Sequence, residues 1–168
     1  MSDFEPNLSE IVSNHEFIPK EHFLLEAPKD VSELRLRLLS ALDGKEQGWL
    51  QDPQITTSKY LFDYLGERDT TIPLKDVVGW TYFNNISNFL QEDRSDGRGI
   101  NHVMDIIRGW NGEKEDSYET MGINGLTFIS NEPGKYILYE GKHRFLAAIA
   151  MGIPEIPAKC MLYSRKTL

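Results

Sequence analysis

The sequence predicts a small α/β protein, in which a mixed sheet with helices follows an α-helical N-terminal extension. Two β-rich runs, 125–129 and 135–139, flank a turn of sequence NEPG, and this pattern indicates a hairpin. Gly141 ends the second run, and an apolar helical pattern follows at once over 142–151. A further β-rich run at 155–163 returns the chain to the sheet. Strands and helices that alternate in this way are typical of an α/β domain.

The composition is that of a folded globular protein. The chain has 168 residues, of which 40% are hydrophobic and 26% are charged, close to globular averages. Its one cysteine excludes an intramolecular disulfide framework and fits a reducing compartment. No apolar run is long enough to span a bilayer, and the acidic N-terminus does not resemble a signal peptide, so a cytoplasmic location without membrane contact is expected.

The charge is unevenly distributed along the chain. Residues 1–70 hold 14 acidic and 7 basic side chains, whereas residues 71–168 hold 12 and 11. This change predicts an acidic helical extension over 1–69 and an α/β domain over 70–168. The overall net charge of −8 argues against binding to DNA, because a phosphate backbone repels an acidic protein. The acidic extension is instead a candidate contact for a protein partner.

Two helices are expected in the extension. Leu34, Leu38 and Leu42 repeat every four residues, which predicts a helix over 31–42 that begins at Asp30 or Ser32. The leucine stripe should be buried against the α/β domain or in a subunit contact. A second helix is predicted over 57–66, where four large apolar residues have helical spacing: Tyr60, Leu61, Tyr64 and Leu65.

The first half of the predicted α/β domain carries weaker patterns. An extended segment with Pro73 is expected over 70–78, and a helix is expected over 82–90. A polar loop with two arginines covers 93–99, and Asn101 should cap a helix that ends at Trp110. His102 and Asp105 lie three residues apart on that helix, but no third ligand is evident, so no metal site is expected there.

The segment that contains the candidate functional residues begins at Glu140. Gly141 allows a ligand to approach the backbone, and the helix that follows it starts with unpaired N–H groups and a partial positive charge. Lys142 and Arg144 add cations, and His143 can donate to a phosphate oxygen. These features favour an anion site. The alternative is a purely structural role, because any strand, glycine turn and helix whose first-turn charges are solvated would give the same sequence pattern. Glu140 is the neighbouring carboxylate that could order a metal, a ribose or a hydroxyl.

The run from Glu140 to Arg144 resembles a motif of the ParB/sulfiredoxin superfamily. That motif begins with a strand, which an acidic or small residue follows. The next four positions are Gly, then any residue, then His or Arg, and then Arg. An alanine-rich helix, Gly and Ile/Val-Pro follow, and here they correspond to Ala147-Ala148, Gly152 and Ile156-Pro157. The resemblance covers about 70–163, is most specific over 136–159, and includes Ile72-Pro73-Leu74 and the runs at 122–123 and 126–129.

The resemblance implies a ParB/sulfiredoxin-like nucleotide-binding domain. Gly141, Lys142, His143 and Arg144 would contact the phosphates of a nucleoside triphosphate such as ATP or CTP, with Mg²⁺ bridging them. Glu140 would lie near the ribose, the metal or the acceptor and is the candidate catalytic residue of an NTPase or a kinase-like phosphotransferase. The alternative is a non-enzymatic regulatory or interaction module that retains the fold.

One departure from the superfamily bears on the chemistry. Lys142 stands where sulfiredoxin has its reactive cysteine, and the single cysteine of this chain, Cys160, lies in a predicted strand after the helix. A buried small hydrophobic side chain is therefore the expected role of Cys160.

Overall fold

A mixed five-stranded sheet organises the chain. The structure, a computed structural model, describes residues 23–42, 58–81, 89–90, 99–113 and 126–167. The described helices are α1 (Val31–Ala41), α2 (Ile100–Trp110) and α3 (Lys142–Ala150), and a short 3₁₀ helix covers Leu74–Asp76. The described strands are β1 (Phe62–Pro73), β2 (Val77–Trp80), β3 (Thr127–Glu132), β4 (Lys135–Glu140) and β5 (Glu155–Arg165). This confirms a mixed α/β fold.

The strand order across the sheet is β1-β5-β3-β4-β2. β1 pairs antiparallel with β5, and β3 pairs antiparallel with β4 as the predicted hairpin. β5 runs parallel to β3, and β2 runs parallel to β4. The predicted strand at 135–139, the helix at 142–151 and the strand at 155–163 are confirmed within two residues at each end.

The predicted helix over 57–66 is wrong, because β1 begins at Phe62 and runs through Pro73. Its backbone pairs with β5 from Phe62 opposite Arg165 to Pro73 opposite Glu155. This strand also crosses position 70, where the charge distribution suggested that the extension ends. Pro73 lies at the end of the strand, where its missing N–H removes no central ladder bond.

Helix α1 confirms the predicted leucine stripe. Leu34 and Leu38 are fully buried, Leu42 is 4% exposed, and all three belong to the core that α2, α3 and the sheet share. Asp30 caps the helix, since its carboxylate accepts a hydrogen bond of 2.8 Å from the N–H of Glu33. The expected burial against the α/β domain is therefore observed.

Two predictions fall at the edge of the described residues. Phe89 and Leu90 are helical and buried, but the rest of the helix expected over 82–90 lies outside the described residues. Most of the arginine loop at 93–99 lies outside them as well. In the described part of the chain, no helix is long and apolar enough to cross a membrane.

Candidate functional site

Gly141 turns the chain from β4 into α3 in the way that the sequence predicts. Its φ of 97° and ψ of 34° are left-handed, a conformation that side chains with a Cβ rarely adopt. Glu140 is the last residue of β4 and is exposed. The carbonyl of Gly141 accepts the first helical hydrogen bond, from the N–H of Phe145 at 3.0 Å. The loop glycine, the exposed carboxylate and the helix start are thus contiguous.

A second helix start lies beside the first. The N–H of Gly99 donates to Nε2 of His143 over 3.4 Å, so the residue that precedes α2 contacts the first turn of α3. The rings of His102 and His143 meet edge to face with centroids 4.7 Å apart. Since Nε2 of His143 accepts a hydrogen bond, the ring proton of neutral His143 belongs on Nδ1. The sequence does not reveal this convergence of α2 and α3.

Gly99, not the predicted Asn101, occupies the N-cap position of α2. Its φ is 94°, and its carbonyl accepts from the N–H groups of His102 and Val103 at 3.1 and 3.3 Å. Neither α2 nor α3 has a side-chain cap, and neither has an acidic residue in its first turn. The positive ends of two helix dipoles therefore lie together without a local carboxylate in either first turn, an arrangement that favours an anion.

Phe89 supports the charged side chains of this region. Its ring is 1% exposed, and Nζ of Lys142 lies 4.9 Å from the ring centroid in a cation–π contact. The same ring meets that of His143 with centroids 5.4 Å apart. Lys142, His143 and Arg144 are all half-buried rather than fully solvated. The first turn of α3 is therefore held in place by neighbours, unlike a surface turn with free charges.

A metal ion would find few protein ligands here. Within the described residues, no group of three or more His, Cys, Asp or Glu side chains could hold a metal. Mg²⁺ commonly keeps several waters and binds through one or two carboxylates together with substrate phosphates. Glu140 is the carboxylate next to the α3 start, so it could serve as that single protein ligand for an ion that arrives with the phosphates.

Cys160 occupies the place expected for a small core residue. It is fully buried in β5, and burial raises the pKa of its thiol despite the opposing charge of Arg68. A thiol with a raised pKa is a poor nucleophile at neutral pH. Cys160 is therefore poorly suited to act as a nucleophile, and Glu140 to Arg144 remain the candidate site residues.

A cavity of about 630 Å³ lies at the opposite end of α2 and is a less suitable phosphate site. Its wall includes Arg108, Asn111, Glu113, Glu26 and Lys29, so both signs of charge are present. The C-terminal end of α2 contributes partial negative charge, which disfavours an anion. The paired helix starts are the better candidate on electrostatic grounds. No known family model matches the chain, and no curated protein has significant sequence similarity to it.

Proposed function

We propose that this chain binds the phosphate groups of a nucleoside triphosphate where α2 and α3 begin. The observation that carries the proposal is the contact between Gly99 and His143, which brings two helix N-termini to one place. Each N-terminus offers backbone N–H groups and a partial positive charge. Lys142 and Arg144 supply full charges on the same turn. The ParB/sulfiredoxin resemblance supports the same ligand through the same residues.

Each residue has a distinct role in this proposal. Gly141 lets a phosphate approach the backbone, Arg144 grips two of its oxygens, and Lys142 contributes a point charge. His143 joins the two helix starts through the hydrogen bond that its Nε2 accepts from Gly99. Mg²⁺ that arrives with the nucleotide would neutralise further phosphate charge, with Glu140 as its protein ligand or as a base. Positioning and charge neutralisation are the main requirements of phosphoryl transfer, so hydrolysis or transfer fits the same site.

Calorimetric titration tests the binding. ATP, CTP, pyrophosphate and phosphate are titrated with and without Mg²⁺ into the wild type and into Arg144→Ala. Arg144→Ala removes a charge-assisted contact of about 1.5–3 kcal/mol, so affinity should fall roughly ten- to hundredfold. Arg108→Ala is the matched control, since Arg108 lies on the last turn of α2 with its side chain 41% exposed. If the wild type binds none of these ligands, or if both variants bind equally well, the proposal is wrong.

A turnover assay distinguishes an enzyme from a binding module. Glu140→Gln should retain affinity but release less phosphate if Glu140 acts as a base or metal ligand. If the wild type binds nucleotide but neither releases phosphate nor converts the triphosphate to diphosphate when hydroxyl acceptors such as free serine are added, the result favours the regulatory or interaction module.

A further inference from the structure

Helix α1 has two half-buried arginines that bind backbone carbonyls in other parts of the fold. Nε of Arg35 donates to the carbonyl of Leu90 over 2.9 Å. Nη1 of Arg37 donates to the carbonyls of Glu26 and Ala150 over 2.6 and 3.0 Å. Hydrogen bonds from a charged donor are stronger than those between neutral groups. The two arginines therefore fix α1 at two different places, one of which is the C-terminal end of α3.

The contact of Arg35 holds the residue next to an aromatic ring of the proposed phosphate site. Leu90 is fully buried, its neighbour Phe89 is 1% exposed, and both belong to the shared core. Apolar packing is non-directional, whereas a hydrogen bond to a carbonyl requires a particular distance and angle. Since a planar peptide unit joins Phe89 to Leu90, the bond from Arg35 also restricts the position of the Phe89 backbone.

The ring of Phe89 in turn contacts two side chains in the first turn of α3. Nζ of Lys142 lies over the ring, 4.9 Å from its centroid, and the ring of His143 lies 5.4 Å away, centroid to centroid. A lysine side chain loses much rotamer freedom when a ligand orders it. A ring that already holds the ammonium near the helix start lowers that cost, so the position of Phe89 should affect how tightly Lys142 binds an anion.

These contacts form a continuous path from α1 to the start of α3. Its steps are a hydrogen bond, a peptide unit and a cation–π contact. We propose that Arg35 is a positioning residue for the phosphate site, acting through Phe89 on the ammonium of Lys142. The effect on phosphate affinity rests on the proposed function, whereas the position of Lys142 is measurable without a ligand. The N-terminal extension then contributes to the site as well as to the core.

NMR spectroscopy of the ligand-free protein tests the positional step. Protons above an aromatic face resonate upfield, so the ε-methylene protons of Lys142 should be shifted upfield in the wild type and lose that shift in Phe89→Leu. Arg35→Met removes the donor but keeps a long side chain with similar helix propensity, and it should move the signal towards its position in Phe89→Leu. Arg37→Met is the matched control and should leave the signal unchanged. A signal that Arg35→Met leaves in place, or that both arginine variants move equally, overturns the proposal.

Calorimetric titration with ATP and Mg²⁺ tests the functional step. Arg35→Met should raise the dissociation constant by roughly two- to tenfold, the scale set by the net contribution of one hydrogen bond. Arg35→Lys should restore part of the affinity, because an ammonium also donates to a carbonyl. Arg37→Met removes contacts to two carbonyls and to Glu33, so it should lower the melting temperature at least as much, yet it should bind like the wild type. Affinity that follows melting temperature in both variants contradicts a positioning role.

A double-mutant cycle tests whether Arg35 acts through Lys142. In a Lys142→Met background, Arg35→Met should have little further effect on affinity, because residues that act through one contact are not additive. An undiminished effect in that background overturns the proposed path. A wild type that binds no phosphate ligand refutes the proposed function instead, and the NMR result then decides whether Arg35 positions Lys142.

Discussion

Truncation of Leu38 measures how firmly α1 belongs to the shared core. Leu38 is fully buried on α1, and Leu38→Ala removes its apolar contacts and leaves a cavity. Such changes cost about 2–5 kcal/mol, with the larger values where the surroundings cannot collapse. At about 3 kcal/mol, the melting temperature of a chain of this length should fall by roughly 6–12 °C. Thermal denaturation followed by circular dichroism measures the shift.

Leu36→Ala is the internal control for that experiment. Leu36 lies on the same helix but is 69% exposed, so its truncation should change stability by less than about 0.5 kcal/mol. The two variants share the same change in helix propensity, and their difference isolates burial. Equal melting temperatures for Leu38→Ala and the wild type would refute the packing of α1 against the core. A loss from Leu36→Ala as large as that from Leu38→Ala would refute it as well.

Two further predictions follow from backbone conformation and from a titrating side chain. Gly141→Ala forces a residue with a Cβ into the left-handed region and should destabilise the fold by about 1–2 kcal/mol, measured by thermal denaturation. Gly141→Asn should destabilise it less, because asparagine tolerates that conformation. Equal losses of stability for the two variants would contradict the argument. Burial first, then the nearby Tyr64 and Tyr139, raises the pKa of Tyr163. A raised pKa means that the folded state holds this proton more tightly, so this contribution is complete below the unfolded pKa near 10 and is lost as pH rises above it. Tyr163→Phe should therefore flatten the decline of melting temperature above pH ~10, and an unchanged slope would contradict the cause assigned.

Local signals in the sequence were sufficient for much of the second half of the chain. The NEPG turn, the β-rich runs around it and Gly141 each act within a few residues, and the hairpin and α3 form where they indicate. The segment 57–66 misled because Tyr60, Leu61, Tyr64 and Leu65 have the spacing of a helical face. Its strand conformation depends on pairing with β5, which lies about ninety residues further along the chain. Local periodicity contains no information about that partner.

The candidate site also contains residues that the sequence predicts and residues that only the structure reveals. Glu140 to Arg144 are consecutive, so their sequence predicted the turn and the first helical turn. Gly99 and Phe89 come to the site only through tertiary packing, and no local pattern in the sequence shows that they meet His143. The weak signal that could have located α2 was the glycine at 99 before an apolar helical pattern. Instead, the capping preference of Asn101 placed the start of the helix too late.

The position of β5 has a consequence for how the chain folds. This strand follows all the other described strands in sequence, yet it lies between β1 and β3 in the sheet. Until β5 has been synthesised, β1 therefore has no neighbour among the described strands. Contacts between such distant segments close large loops, which slows folding relative to local hairpins. We therefore expect β3, β4 and α3 to assemble first and β1 to dock only afterwards, so that β1 stays without a partner strand in the sheet until β5 emerges.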